Sequence, residues 1–136
     1  MEQGPLTTEQ ALELHRSFLK EVLAEMLQAL SEGEPGIERV CRSLEVYWES
    51  AYARREARRA VLAATTGTAI ESTVEPMGRP FQLMVEAELS AAHCADAHML
   101  SQFVYQEARG IAVEEAMADA RKPQRRRRLL ERIRQG

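Results

Sequence analysis

His93, Cys94, Asp96 and His98 crowd into residues 93–98 and form the only concentration of side chains able to ligate a metal ion. Zinc takes imidazole, thiolate and carboxylate ligands, so the residue types suggest a zinc site. Their spacing argues against one. His93 and His98 are five positions apart, where three or four would align them on one helix face, and Asp96 stands where it would cap a following helix. The reading is a helix junction with Asp96 as N-cap, without metal or cofactor. Acid–base chemistry would require gathered carboxylates. Glu45 and Glu49 lie one helical turn apart, whereas Glu86 and Glu88, two apart, point to different faces; both pairs read as solvated surface. The chain has no Glu-x-x-His pair, no glycine-rich phosphate loop and no nucleophile elbow, which disfavours an enzyme.

Two other groupings suggest binding. Tyr47, Trp48 and Tyr52 concentrate aromatic surface in a chain with only 5% aromatic residues, and Met84, Met99 and Phe103 lie on segments expected to face them. Trp and Tyr offer apolar area with a polar handle, and Met adapts to ligand shape, so these six residues are the expected pocket for a small apolar effector. Plain core packing is the alternative use of each. Arg125 to Arg128 form the second grouping, a basic run that could meet nucleic acid or an acidic partner. The run precedes Leu129, Leu130 and Ile133, whose spacing gives one apolar face, and no aromatic side chain is interleaved to stack on bases. A solvated basic face is the favoured reading.

The elements that must position these residues are helical by pattern. Thr7 with Gln10 three positions later is a capping-box signature, and Leu12, His15, Leu19, Val22, Leu23, Met26 and Leu30 continue one face as far as Ser31-Glu32-Gly33. After the turn Glu34-Pro35-Gly36, the positions Ile37, Val40, Cys41, Leu44, Tyr47 or Trp48, and Ala51 predict a second helix. The cluster Arg54-Arg55-Glu56-Ala57-Arg58-Arg59 marks a bend into a weaker third helix carrying Ala60, Val61, Ala64 and Ile70, interrupted near Gly67. Glu75 to Pro80 is a break, and Pro80 suits the first turn of a fourth helix carrying Phe81, Met84, Val85, Ala87, Leu89 and Ala92. A fifth helix runs from Asp96 to Lys122, stopped by Pro123, and a sixth from Gln124 to Arg134. Sustained period-two alternation and internal repeats are absent, so the predicted fold is an all-α bundle of about six helices.

Composition agrees. At 136 residues and 45% hydrophobic content the chain fits one domain over residues 1–136, with residues 1–6 as a flexible N-terminus. No apolar run reaches the roughly 20 residues of a membrane span, and the N-terminus lacks the pattern of a signal peptide, so the expected location is cytoplasmic. Cys41 and Cys94 then read as reduced structural thiols. The formal charge is −3, but residues 121–136 carry eight basic side chains against Glu131 alone, so +7 there leaves −10 on the rest.

The order of elements resembles the C-terminal half of tetracycline-repressor-like (TetR-family) bacterial transcription regulators. The likeness runs from about Leu12 to Ile133, through Phe18-Leu-Lys-Glu-Val-Leu-Ala-Glu-Met-Leu, Gly36-Ile-Glu-Arg-Val and Leu44-Glu-Val-Tyr-Trp. It continues in Arg58-Arg-Ala-Val-Leu, Gln106-Glu-Ala-Arg-Gly-Ile-Ala-Val-Glu-Glu-Ala and Arg127-Arg-Leu-Leu. The resemblance implies an effector pocket and a homodimer built as a four-helix bundle from the last two helices of each copy. Read onto this chain, the small-residue face of the fifth helix, with Gly110 admitting a second backbone, and the apolar face of the sixth would form the interface. Its residues would be Phe103, Ala108, Ile111, Ala112, Leu129, Leu130 and Ile133. In that family an N-terminal helix-turn-helix domain reads operator DNA; only residues 1–6 precede Thr7 here, so no direct DNA binding is expected from this chain. Two functions follow as expectations: a ligand-sensing dimerisation domain, or a head-less interaction protein that binds another regulator.

Overall fold

The computed structural model describes residues 6–135, without the side chain of Glu75, so the expected flexible N-terminus lies, apart from Leu6, outside the described residues. The elements are α1 (Thr8–Leu30), α2 (Ile37–Ala53), α3 (Arg55–Thr65), a single turn α4 (Glu71–Val74), a 3-10 turn (Glu75–Gly78), α5 (Arg79–Ala91), α6 (Ala97–Ala118) and α7 (Pro123–Arg134). No strand occurs among the described residues, and the all-α class stands. None of their helices is long and apolar enough to cross a membrane.

Local chemistry sets most boundaries. The Thr7 hydroxyl accepts from the Gln10 N–H at 3.1 Å and the Gln10 side chain accepts from the Thr7 N–H at 2.9 Å, which completes the capping box. α1 and α2 form a hairpin whose turn uses Gly33 at φ +78°. The Arg42 guanidinium packs where a side chain on Gly33 would stand, and it donates to the Glu32 carbonyl at 3.1 Å. Pro80 sits in the first turn of α5, where its missing N–H costs nothing.

Three boundaries differ from the sequence reading. The bend expected across residues 54–59 is confined to Arg54, and α3 begins at Arg55 and stops at Thr65, short of Ile70. α6 stops at Ala118, not Lys122, because Asp119 adopts the left-handed conformation at φ +52°. Its carboxylate holds Arg55 at 2.5 Å and Arg59 at 3.4 Å, and Asp is among the few residues that tolerate this conformation. Asp96 occupies the N-cap position of α6, but its side chain makes no capping hydrogen bond.

One buried cluster joins α1, α2, α5, α6 and α7 around Trp48, which is fully buried and donates its indole N–H to the Ala108 carbonyl at 3.1 Å. That bond explains the fate of the small-residue face of α6. Ala108, Ile111 and Ala112 are buried against the chain's own helices, as are Leu129, Leu130 and Ile133 of α7. Of the residues expected at a dimer interface, only Phe103 remains on the surface. Gly110 faces open space, clear of the chain's own described residues.

Candidate ligand site

The helices converge on a small cavity of about 20 Å³, lined by His15 and Leu19 of α1, Tyr47 of α2, Arg58 of α3, Val74, Gly78, Phe81 of α5, and Tyr105 and Arg109 of α6. Helical phase puts Arg58 there. Arg58, Val61 and Thr65, at intervals of three and four, form the buried face of α3. His15 likewise stands on the α1 face that buries Ala11, Phe18, Leu19 and Val22. Gly78 leaves room for the Tyr105 hydroxyl, which a side chain at position 78 would overlap.

Aromatic rings frame the polar groups. Phe18 stacks on His15 at 6.1 Å between centroids and offers its face to the Arg58 guanidinium at 4.8 Å, and Tyr47 meets Phe81 edge-on at 4.7 Å. Arg58 is only 6% exposed, and no carboxylate or carbonyl among the described residues accepts a hydrogen bond from it. The neighbouring arginines differ. Arg54 pairs with Glu21 and Glu25, and Arg55 and Arg59 with Asp119. Burial, with the positive charges of Arg58 and Arg109 beside it, pushes the His15 imidazole down to about 4. Burial also lowers Arg58 and raises Tyr47. Among the described residues the lining offers donors and positive potential, and no carboxylate.

Tyr105 and Arg109 also line an open groove of about 500 Å³ with Pro76, Arg79, Gln82, Gln102 and Gln106, so they stand between the inner cavity and the surface. A second groove, of about 510 Å³, runs between α1 and α2, and three of its charged residues are already paired, Arg54 with Glu25 and Glu49 with Arg121 and Arg126. A third, of about 280 Å³, is formed by Phe103, Glu107, Ile111, Arg125, Arg128, Leu129 and Arg132.

The six residues expected to share an apolar pocket do not share one. Tyr47 alone lines the inner cavity, and Trp48 is core. Tyr52, five positions beyond Tyr47 and so turned to another face, is held between the guanidinium groups of Arg55 at 4.2 Å and Arg121 at 4.4 Å. Met84 is half-buried, Met99 is 69% exposed and Phe103 39%, because α6 turns Ser101, Val104 and Ala108 inward instead.

Arg126 also departs from the solvated reading of the arginine run. Its fork meets both oxygens of the buried Glu115 at 2.7 Å and reaches Glu49 at 2.7 Å, while Arg125 pairs with Glu114 and Arg127 and Arg128 stay exposed. Glu88, read as solvated, is buried and bonded to Arg39 at 2.5 Å. Around residues 93–98, His98 pairs with Glu86, and no three His, Cys, Asp or Glu side chains among the described residues gather as a metal site. Cys41 and Cys94 are free thiols, Cys41 buried and shifted upward by that burial.

The sequence reading did not single out Arg58 or Arg109. The available signal was phase: Arg58 lies three positions before Val61 and seven before Thr65, on a face otherwise suited to the core. No family model, curated protein or solved structure matches the chain.

Proposed function

We propose that the chain is an effector-binding regulatory domain of the kind that TetR-family regulators carry after their DNA-reading head, and that it acts by binding, not catalysis. One observation carries this reading: six helices, the single turn α4 among them, and the 3-10 turn converge on a polar cavity that shares Tyr105 and Arg109 with a groove large enough for a small molecule. The lining changes the expected ligand. Arg79, Gln82, Gln102 and Gln106 favour a polar effector over an apolar one. A ligand in the groove bears on α6, and the Glu115–Arg126 contact couples α6 to α7, so the exposed parts of these two helices are the output surface toward a second copy or another protein.

Native mass spectrometry tests the reading. Protein purified from its expression host should carry extra mass that is lost on denaturation, and Gln106→Trp, which fills the groove mouth, should abolish it. Extra mass unchanged in the variant would place the ligand elsewhere, and empty protein under every condition would remove the effector reading.

A second reading, capture of another regulator, is favoured by the groove around Phe103. There an exposed ring beneath Arg132, at 5.8 Å, is flanked by Arg125 and Arg128, a surface suited to an acidic amphipathic helix.

A further inference from the structure

We propose that the inner cavity is a binding site for a small monovalent anion, a halide or the head of a small carboxylate, with Arg58 as its charge partner. The starting point is a buried charge with no carboxylate partner among the described residues. A guanidinium stays protonated at any pH the protein survives, so burial cannot be relieved by losing the proton. The ring of Phe18 offers a weak cation–π contact, which satisfies none of the five guanidinium N–H donors. The other arginines of the same cluster, Arg54, Arg55 and Arg59, all reach carboxylates; Arg58, the one turned inward, reaches none among the described residues.

The surroundings select the sign and size of the missing partner. Tyr47 brings a hydroxyl donor, and His15 is held neutral, able to donate from one ring nitrogen. A cavity of about 20 Å³ takes one particle of roughly water size, which admits a halide or a single carboxylate oxygen and excludes a sulfate or a phosphate ester. Water alone would satisfy donors and leave the charge. Tyr105 and Arg109 form the wall shared with the outer groove, so a larger effector there could extend an anionic head inward by displacing them.

The inference deepens the regulatory reading and rests on this junction being a ligand site, but the two fail separately. Anion binding without any retained larger molecule keeps the inference and removes the effector. A retained molecule with no anion response does the reverse.

The test uses chloride, bromide and formate, with isethionate, too large for the cavity, as the control salt at equal ionic strength. Crystals soaked in bromide should show an anomalous peak within about 3.5 Å of the Arg58 guanidinium. In solution the His15 ring, which faces Arg58, Arg109, Tyr47 and Tyr105, should titrate about half a unit or more higher in chloride than in isethionate, because bound anion and ring proton favour each other reciprocally. Arg58→Met should erase that difference. Formate suppressing the chloride effect would identify carboxylate heads as ligands, and formate without effect would restrict the site to halides; either supports an anion site. Bromide found only on surface arginines, or His15 titrating alike in both salts, overturns the proposal. Should Arg58→Met fail to fold, the bromide position and the His15 titration in the unaltered protein still decide.

Discussion

Two arginines are drawn in from the surface, and the chain treats them differently. Arg126 is enclosed by carboxylates: Glu115, itself 1% exposed, accepts from two of its nitrogens and also from the Lys122 N–H at 2.8 Å, while Glu49 takes a third. Burial opposes the charge on Arg126 most strongly, yet the hydrogen bonds to Glu115 and Glu49 outweigh it and hold the group above its usual range. Arg58 is buried more deeply, and burial lowers it, with the Phe18 ring over its guanidinium and no carboxylate partner among the described residues. A buried ion pair with every donor satisfied fixes structure, here the turn from α6 to α7. A buried cation with its donors open costs stability and is kept for what it can bind.

Breaking the satisfied pair should produce the largest effect. Glu115→Ala leaves Arg126 short of its main partner and the Lys122 N–H without an acceptor, and should cost about 3–5 kcal/mol in urea unfolding. A loss below about 1 kcal/mol would show that Glu49 suffices alone.

Acid should act on the other region. His15 is lowered to about 4 in the folded chain, so between that value and about 6.5 the unfolded chain takes the proton first. The stability of the folded form is therefore full above about pH 6.5 and falls as pH drops toward 4, by up to about 2 kcal/mol after allowance for partial solvent screening. Subtracting the profile of His15→Gln isolates this contribution, and identical profiles would remove His15 from the positively charged cavity.

Removing the buried Arg58 charge should stabilise. Arg58→Met fills similar volume without charge and should gain about 1–2 kcal/mol in a salt whose anion cannot enter. The gain would sharpen the contrast with Arg126, for which the corresponding Met substitution should destabilise. The smallest effect belongs to a region remote from both: Thr7→Ala removes the capping hydroxyl and should cost about 1 kcal/mol, with the chloride response unchanged.

The same contrast separates what could be read from the sequence from what could not. Thr7 with Gln10, Pro80 in a first turn and the phase of α1 and α2 are local signals, and the structure carries them as read. The burial of α6 is not local. Ala108, Ile111 and Ala112 form a small-residue face that suits a second copy as well as the chain's own Trp48, and only the tertiary arrangement selects Trp48. The end of α6 depended on Asp119 accepting a left-handed backbone with Arg55 and Arg59 brought from far away in sequence. The site suffered most. A run of arginines reads as solvent-facing, and the one member that turns inward is revealed only by its phase with Val61 and Thr65.

Urea unfolding of the unaltered protein and of Arg58→Met, each in chloride and in isethionate at equal ionic strength, shows whether Arg58 holds an anion. Stability of the unaltered protein should rise with chloride as expected for one bound ligand, while Arg58→Met should be the more stable of the two in isethionate and indifferent to the exchange of anion. An equal chloride response in both proteins, or a variant less stable in isethionate, would contradict a charge held open for an anion and make Arg58 a structural residue.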